Sequence, residues 1–259
     1  MPGDGGLETS YGPGKYAAFH LLLGVWIRRY AVGANCVYVT LGGTELRDIE
    51  SLVFINHQLG ASIFSFELEK ERYRLACASR DRLAKRGIKV ECTEGSIFSY
   101  ERTLDAKHLF FIDLEGICTP EFVTEFASLL SSNTLREGDG LFITSHLGHN
   151  PGYDKTVFKW FEDEFDSLHI TSREEKRDLY KLAHPSFVLY RALGMANLRD
   201  DILLRCIGSL PYYDTSPMGL YGYVLSPGKT IFDAFISNTP FFAIPRVRRS
   251  SPVSAMSSN

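Results

Sequence analysis

The sequence predicts an α/β fold in which a mostly parallel sheet is covered by helices on both faces. Two observations predict it. Short apolar runs of strand length alternate with longer segments of helical periodicity along most of the chain. Between the first two runs lies a tight glycine bend, Gly42-Gly43-Thr44-Glu45, and the second run ends abruptly on an acid, Glu67. Short strands separated by helices call for parallel pairing buried on both faces, and right-handed crossovers leave few topologies.

The elements follow in order. Tyr16, Phe19, Leu23, Trp26 and Tyr30 recur at a 3-4-3-4 spacing, one face of a helix that packs on the core before the first strand. Strand one is the run 36–41, and a helix from about Leu46 to Gln58 follows, with Gly60 as its stop. Strand two, 62–66, leads to a charged helix from about Glu69 to Arg86, ended by Gly87. Strand three is Ile88 to Cys92, and strand four is His108 to Asp113. Pro120 to Leu130 reads as a helix, Gly140 to Ser145 as strand five, and Val157, Trp160, Phe161 and Phe165 as the buried side of a further helix. Ser172 to Glu175 has the form of a capping box opening helical segments that reach about Met195. Ile202 to Leu210 and Leu220 to Leu225 read as a C-terminal antiparallel hairpin on the sheet edge.

Whole-chain properties bound the function. The 259 residues fit one α/β domain, assigned to 15–244, with 170–200 as a helical insertion or substrate-side region. Residues 1–14 carry five glycines and two prolines and read as disordered, as does the tail 245–259. Hydrophobic residues make up 44% and charged ones 23%, an ordinary globular balance. A formal charge of -3 gives no electrostatic case for nucleic acid. The five cysteines are scattered and never spaced as CxxC, so they read as thiols of a reducing compartment, with no metal site. The apolar run Ala17 to Ile27 is about half the length that a membrane span needs. The expectation is a cytoplasmic protein without a membrane partner.

The candidate site lies where the strands point their carboxyl ends. Glycines let the backbone approach a ligand, and an acid at the tip of the next strand accepts hydrogen bonds from ribose hydroxyls. Gly42 and Gly43 also serve any tight strand-to-helix turn, and Glu67 also suits the start of a helix. Asp113, at the end of strand four, is placed for a ligand or for capping the next turn. His146 and His149, past strand five, suit a general base or substrate-orienting group, or a polar loop held by Gly148 and Pro151.

On these residues the chain resembles the class I S-adenosylmethionine-dependent methyltransferases over roughly 36–165, with 202–226 similar to their final antiparallel strands. Leu41-Gly42-Gly43-Thr44 stands in place of the family's glycine-rich turn, and Glu67 in place of its ribose-binding acid. Glu94-Gly95-Ser96-Ile97 corresponds to the segment that recognises adenine, and Asp113 to the acid beside the methyl-transfer region. The resemblance implies a Rossmann-like doubly wound sheet, S-adenosylmethionine as cofactor and methyl transfer to an unidentified acceptor. It implies cofactor contacts from Gly42, Gly43, Thr44, Glu67, Ser96, Ile97 and Asp113, with Asp113 and His146 facing the reacting methyl group. The acceptor would enter between the 146–153 loop and the region 170–200.

The turn also departs from the family pattern. Thr40 stands where an acid usually precedes it, and Thr44 and Leu46 occupy the alternate positions counted from Gly42. Glu45 is the acid nearest in sequence to make good the missing charge. A catalytically inactive methyltransferase-like binding or assembly module is the alternative function. A nicotinamide-dependent oxidoreductase is a further rival, weakened by the lack of GxGxxG and of an obvious catalytic Tyr-Lys pair.

Overall fold

Alternation along the central strands fixes which face of the sheet each helix covers. Side chains of β1 (Cys36–Thr40) and β4 (Lys107–Asp113) point to opposite faces at every step. Val37, Val39, Phe110 and Ile112 enter one apolar core, and Cys36, Tyr38, Leu109 and Phe111 enter the other. Both strands are almost wholly buried, which is why their sequence reads as near-continuous apolar runs.

The structure is a computed structural model that describes residues 13–55, 62–114, 120–132, 134–146, 159, 172–198, 202–213 and 217–227. The expected helix at 157–165, the 147–153 loop with His149, and the terminal segments 1–12 and 228–259 lie outside the described residues.

The remaining elements are α1 (Pro13–Tyr30), α2 (Arg47–Ile55), β2 (Ser62–Glu67), α3 (Lys70–Ala84), β3 (Glu91–Glu94), α4 (Pro120–Ser131), β5 (Gly140–His146), α5 (Arg173–Met195), β6 (Ile202–Tyr213) and β7 (Pro217–Pro227). A short 3-10 turn, Ile97–Ser99, follows β3. The seven strands form one sheet in the order β3-β2-β1-β4-β5-β7-β6. Pairing is parallel from β3 through β5, and β7 pairs antiparallel with both β5 and β6. This is the Rossmann-like doubly wound sheet with a C-terminal hairpin that the sequence predicts.

Phe19, Leu22, Leu23 and Trp26 of α1 share one core with Ile49 and Leu52 of α2 and Ala76 and Leu83 of α3. Val123, Phe126 and Leu130 of α4 share the opposite core with Phe187, Val188 and Leu189 of α5. The stretch 185–193 of α5 is thus built into the core, although the sequence reads 170–200 as an insertion or substrate-side region.

Two boundaries differ from expectation. Helix α1 opens at Pro13, two residues before the expected start of the domain at 15. Strand three pairs over 91–94 instead of 88–92, with Phe64 opposite Glu91 and Glu67 opposite Glu94. It is an edge strand, so its paired residues need not be apolar. Ile88 and Val90 are buried in the segment leading to it, which gave the sequence its false strand signal.

At the amino ends of β4 and β5, Asp139 is wholly buried and fully engaged. Arg102 Nη1 donates to Asp139 Oδ2 at 2.6 Å, the Arg136 backbone N–H to the same oxygen at 2.7 Å, and the His108 backbone N–H to Oδ1 at 2.9 Å. The pair is 6% and 0% exposed, so removing the cation strands a buried charge. An Arg102→Met variant should lose about 3–5 kcal/mol of stability, measured by urea unfolding at pH 7. A loss below about 1 kcal/mol would show that Asp139 is satisfied by its backbone donors alone.

Candidate active site

The strand order reverses between β1 and β4, because the chain leaves β1 toward β2 and leaves β4 toward β5. Ligands of open α/β sheets bind outside the carboxyl ends of the strands at such a switch point. A pocket of about 170 Å³ lies there, walled by Leu41 to Arg47 of the bend, Glu67 and Leu68 after β2, Arg72 of α3, and Asp113 at the end of β4. It is smaller than the roughly 300–1,000 Å³ of sites that enclose a drug-sized ligand. The described walls therefore enclose room for only part of a nucleoside-sized ligand.

The bend that forms its floor is tightly packed. A Cβ on Gly42 would lie 2.6 Å from Ser65 Oγ and 2.7 Å from Leu46 Cδ2, so only glycine fits between β2 and the incoming helix. Gly43 has φ +56°, which favours glycine, and its Cβ position faces open space. Leu46 takes φ +54°, which costs about 1–2 kcal/mol for a residue with a Cβ. Its side chain is 0% exposed in the core of α1, α2 and α3, worth about 1.5–3 kcal/mol, so burial wins. The Leu46 side chain thus turns into the core. Helix α3 pins the bend from outside: Ser79 Oγ donates to the Thr44 carbonyl at 2.9 Å and Arg82 Nη2 to the Glu45 carbonyl at 3.0 Å.

Glu67 does two jobs. Its Oε1 accepts a long 3.4 Å bond from the Glu69 backbone N–H at the start of α3, and its Oε2 lies 3.9 Å from Arg72 Nε. Neither contact is a short hydrogen bond, and a carboxylate offers about four acceptor positions. Capacity for ligand hydroxyls remains on the pocket side.

Asp113 borders the pocket but is already engaged. Lys15 of α1 forms an ion pair with its Oδ2, and Thr144 Oγ1 donates to its Oδ1 at 2.5 Å. Both side chains of the ion pair are mostly buried. Asp113 is thus a fixed part of the wall, and α1 is part of the site.

Of the expected site residues, Gly42, Gly43, Thr44, Glu67 and Asp113 meet in this pocket. Ser96, Ile97 and His146 are not among its walls. Ile97 is buried in the core of α4 and α5, and Ser96 Oγ accepts from the Phe98 backbone N–H at 3.2 Å, capping the 3-10 turn. The exposed apolar wall beside Glu67 is instead Leu68, 67% exposed. His146 is half-buried at the end of β5, two residues beyond Thr144, which faces Asp113 across the ladder.

Two acids lie near the bend. Glu45 pairs with Arg47 and is half-exposed. Behind Thr40 lies Asp48, from the first turn of α2. Its Oδ2 accepts from Thr40 Oγ1 at 2.7 Å and from the Tyr38 hydroxyl at 2.8 Å. Lys15, Arg47, Asp48 and Arg72 were not singled out from the sequence. An acid in the first turn after a glycine bend was the available signal for Asp48; Lys15 meets its partner 98 positions away, beyond any local pattern.

No protein-family model matches the chain, and no curated protein is similar to it in sequence. Among solved structures the chain is similar to the plantazolicin methyltransferase BpumL in complex with SAH, at 12% identity over 81% of this chain and 84% of that one, with a TM-score of 0.45. It is similar to the N-methyltransferase NodS from Bradyrhizobium japonicum WM9 in complex with S-adenosyl-L-homocysteine, at 10% identity, 83% and 89% coverage and a TM-score of 0.47. A third is the SAH-bound Podospora anserina methyltransferase PaMTH1, at 14% identity, 81% and 78% coverage and a TM-score of 0.43. The pocket residues, not these likenesses, carry the functional reading.

The close packing of the bend is directly testable. Gly42→Ala should lower stability by about 1–3 kcal/mol, because Ser65 and Leu46 must shift in a filled core. Gly43→Ala should cost about 1–2 kcal/mol through its backbone angle alone. Unfolding midpoints check both, and a neutral Gly42→Ala would contradict the packing described.

Proposed function

We propose that this pocket binds S-adenosylmethionine and that the protein transfers its methyl group to an acceptor oxygen, nitrogen or carbon. The observation that supports it is the meeting of the Gly42-Gly43 bend and Glu67 in one pocket at the switch point, with Asp113 on its far side.

The residues present suit such a ligand. Glu67 has unfilled acceptor capacity for ribose hydroxyls, and the open side of Gly43 admits a ligand against the backbone of the bend. Leu68 supplies an apolar surface for a purine. The charged walls, Arg47 and the Lys15–Asp113 pair, suit an amino-acid end that carries both signs. Ser96 and Ile97 would then support the adenine side indirectly, through the 3-10 turn.

When bound, the cofactor supplies a methyl group already activated on a sulfonium, so the chain's task is placement. Glu67 and the bend fix the nucleoside end, and the sheet holds both rigidly. The Lys15–Asp113–Thr144 cluster keeps the strand-four corner fixed, which favours holding a near-attack geometry. Asp113 is held on both oxygens by Lys15 and Thr144, so its part here is to orient. His146 is our candidate to orient an acceptor or take its proton, from a position further along β5.

The second reading, a binding module without catalysis, is favoured by that same engagement of Asp113 and by Thr40 in the acid's place. Transfer of labelled methyl from the cofactor to small-molecule and macromolecular fractions of a cell extract separates the two; binding without any transfer selects the module.

Binding itself comes first. S-adenosylhomocysteine at about 100 times its dissociation constant should stabilise the protein by roughly 2.7 kcal/mol, several degrees in melting temperature, with no shift from NAD. Glu67→Ala should weaken binding about 10- to 100-fold by titration calorimetry. Full retention of affinity in that variant removes the ribose assignment.

A further inference from the structure

Asp48 stands out as the acid of the bend that the local sequence lacks. It is 1% exposed, Tyr38 and Thr40 both donate to its Oδ2, and its buried Oδ1 has no hydrogen bond of standard geometry, although the Ile49 backbone N–H favours the charged carboxyl. The charged and titratable groups around it come from four elements. Tyr38 lies on β1, Tyr16 on α1, Asp113 on β4, and Glu45 and Arg47 lie beside the start of α2. The nearby cations are committed elsewhere: Lys15 to Asp113 and Arg47 to Glu45. Among the described residues Asp48 forms no ion pair.

Such a carboxyl is costly to ionise. Burial raises its pKa to about 6, opposed by the hydrogen bonds from Thr40 and Tyr38 and reinforced by Asp113. At pH 7 it is nonetheless mostly ionised. The sign of the stability effect follows. The folded protein binds this proton up to about pH 6, whereas an unfolded aspartate releases it near 4, so Asp48 reduces stability as pH rises from about 4 to 6 and above. A purely structural acid would not be kept on those terms at neutral pH, since asparagine could accept the same two hydroxyls. What asparagine cannot supply is negative charge one residue from Arg47 and close enough to Asp113 to interact with it, both of which wall the pocket.

We propose that Asp48 determines ligand specificity in this pocket, acting as a buried counter-charge that favours a cationic ligand over its neutral-sulfur counterpart. The inference rests on the S-adenosylmethionine reading. That cofactor carries a sulfonium, and S-adenosylhomocysteine, the product, does not. In general, unit charges about 10 Å apart at an effective dielectric near 20 attract by an amount worth roughly tenfold in affinity. Asp48 therefore promotes substrate binding over product retention.

The experiment is titration calorimetry with S-adenosylmethionine and S-adenosylhomocysteine at pH 5 and 7, on the native chain and Asp48→Asn, with melting temperatures of both apo proteins across pH 4–7. At pH 7, Asp48→Asn should weaken S-adenosylmethionine binding about tenfold and S-adenosylhomocysteine binding less than twofold. The native preference at pH 5 should fall to that of the variant. The apo variant should melt a few degrees higher than native at pH 7, and the fall in stability between pH 4 and 6 should shrink. Equal losses for both ligands, an unchanged ratio, or a less stable variant at pH 7 would overturn the proposal. If the native chain binds neither ligand, the cofactor reading fails first, whereas binding with equal losses removes the role of Asp48 alone.

Discussion

The site depends on how sharply the chain turns between Thr40 and Arg47. Strand β1 must end and α2 must begin within a few residues, with β2 and β4 close on either side. Gly42 solves the steric problem by having no Cβ where Ser65 and Leu46 converge. Leu46 then accepts an unfavourable backbone angle in exchange for complete burial. With the bend fixed, β1 delivers its backbone to the same corner of the sheet where β2 delivers Glu67 and β4 delivers Asp113. Loosening that turn would separate the groups that form the pocket.

The two ends of the sheet treat buried charge differently. At the amino ends, Asp139 is matched by Arg102 and by backbone N–H groups on both oxygens, an arrangement that serves stability. At the carboxyl ends, one lysine serves Asp113 while Asp48, among the described residues, keeps an oxygen without a hydrogen bond of standard geometry and no cation. Among the described residues, buried charge is matched by a counter-ion at the amino rim, although Arg102 Nε finds no acceptor, and is not matched at Asp48. That asymmetry is what a functional end of an α/β sheet is expected to show.

Much of this fold was legible because the central strands are buried on both faces and so advertise themselves as apolar runs. The glycine bend and Glu67 were legible for a related reason: both interrupt a strong pattern. The signal failed where position in the sheet changes the rule. β3 is an edge strand, so its paired residues look polar while the buried Ile88 and Val90 precede it. Ile97, which the family resemblance puts in an adenine-recognising segment, has its side chain in the core. Lys15 and Asp48 act through contacts that only the assembled sheet creates, and no local window contains both partners of the Lys15–Asp113 pair.

The engagement of Asp113 bears on what kind of chemistry the pocket suits. Both oxygens of this carboxylate are already engaged, one by a lysine and one by a threonine hydroxyl. A transfer that relies on an activated donor needs no strong base, only alignment and exclusion of water. Rigidity is therefore the useful property at this corner. The Lys15–Asp113–Thr144 cluster provides it by tying α1, β4 and β5 together at the rim. On this view α1 is more than a cover for the sheet, because its first turn supplies the cation that holds the strand-four acid in place. The same pairing leaves Asp48, among the described residues, without a cation of its own, which is the basis for assigning structural order to one carboxyl and ligand preference to the other.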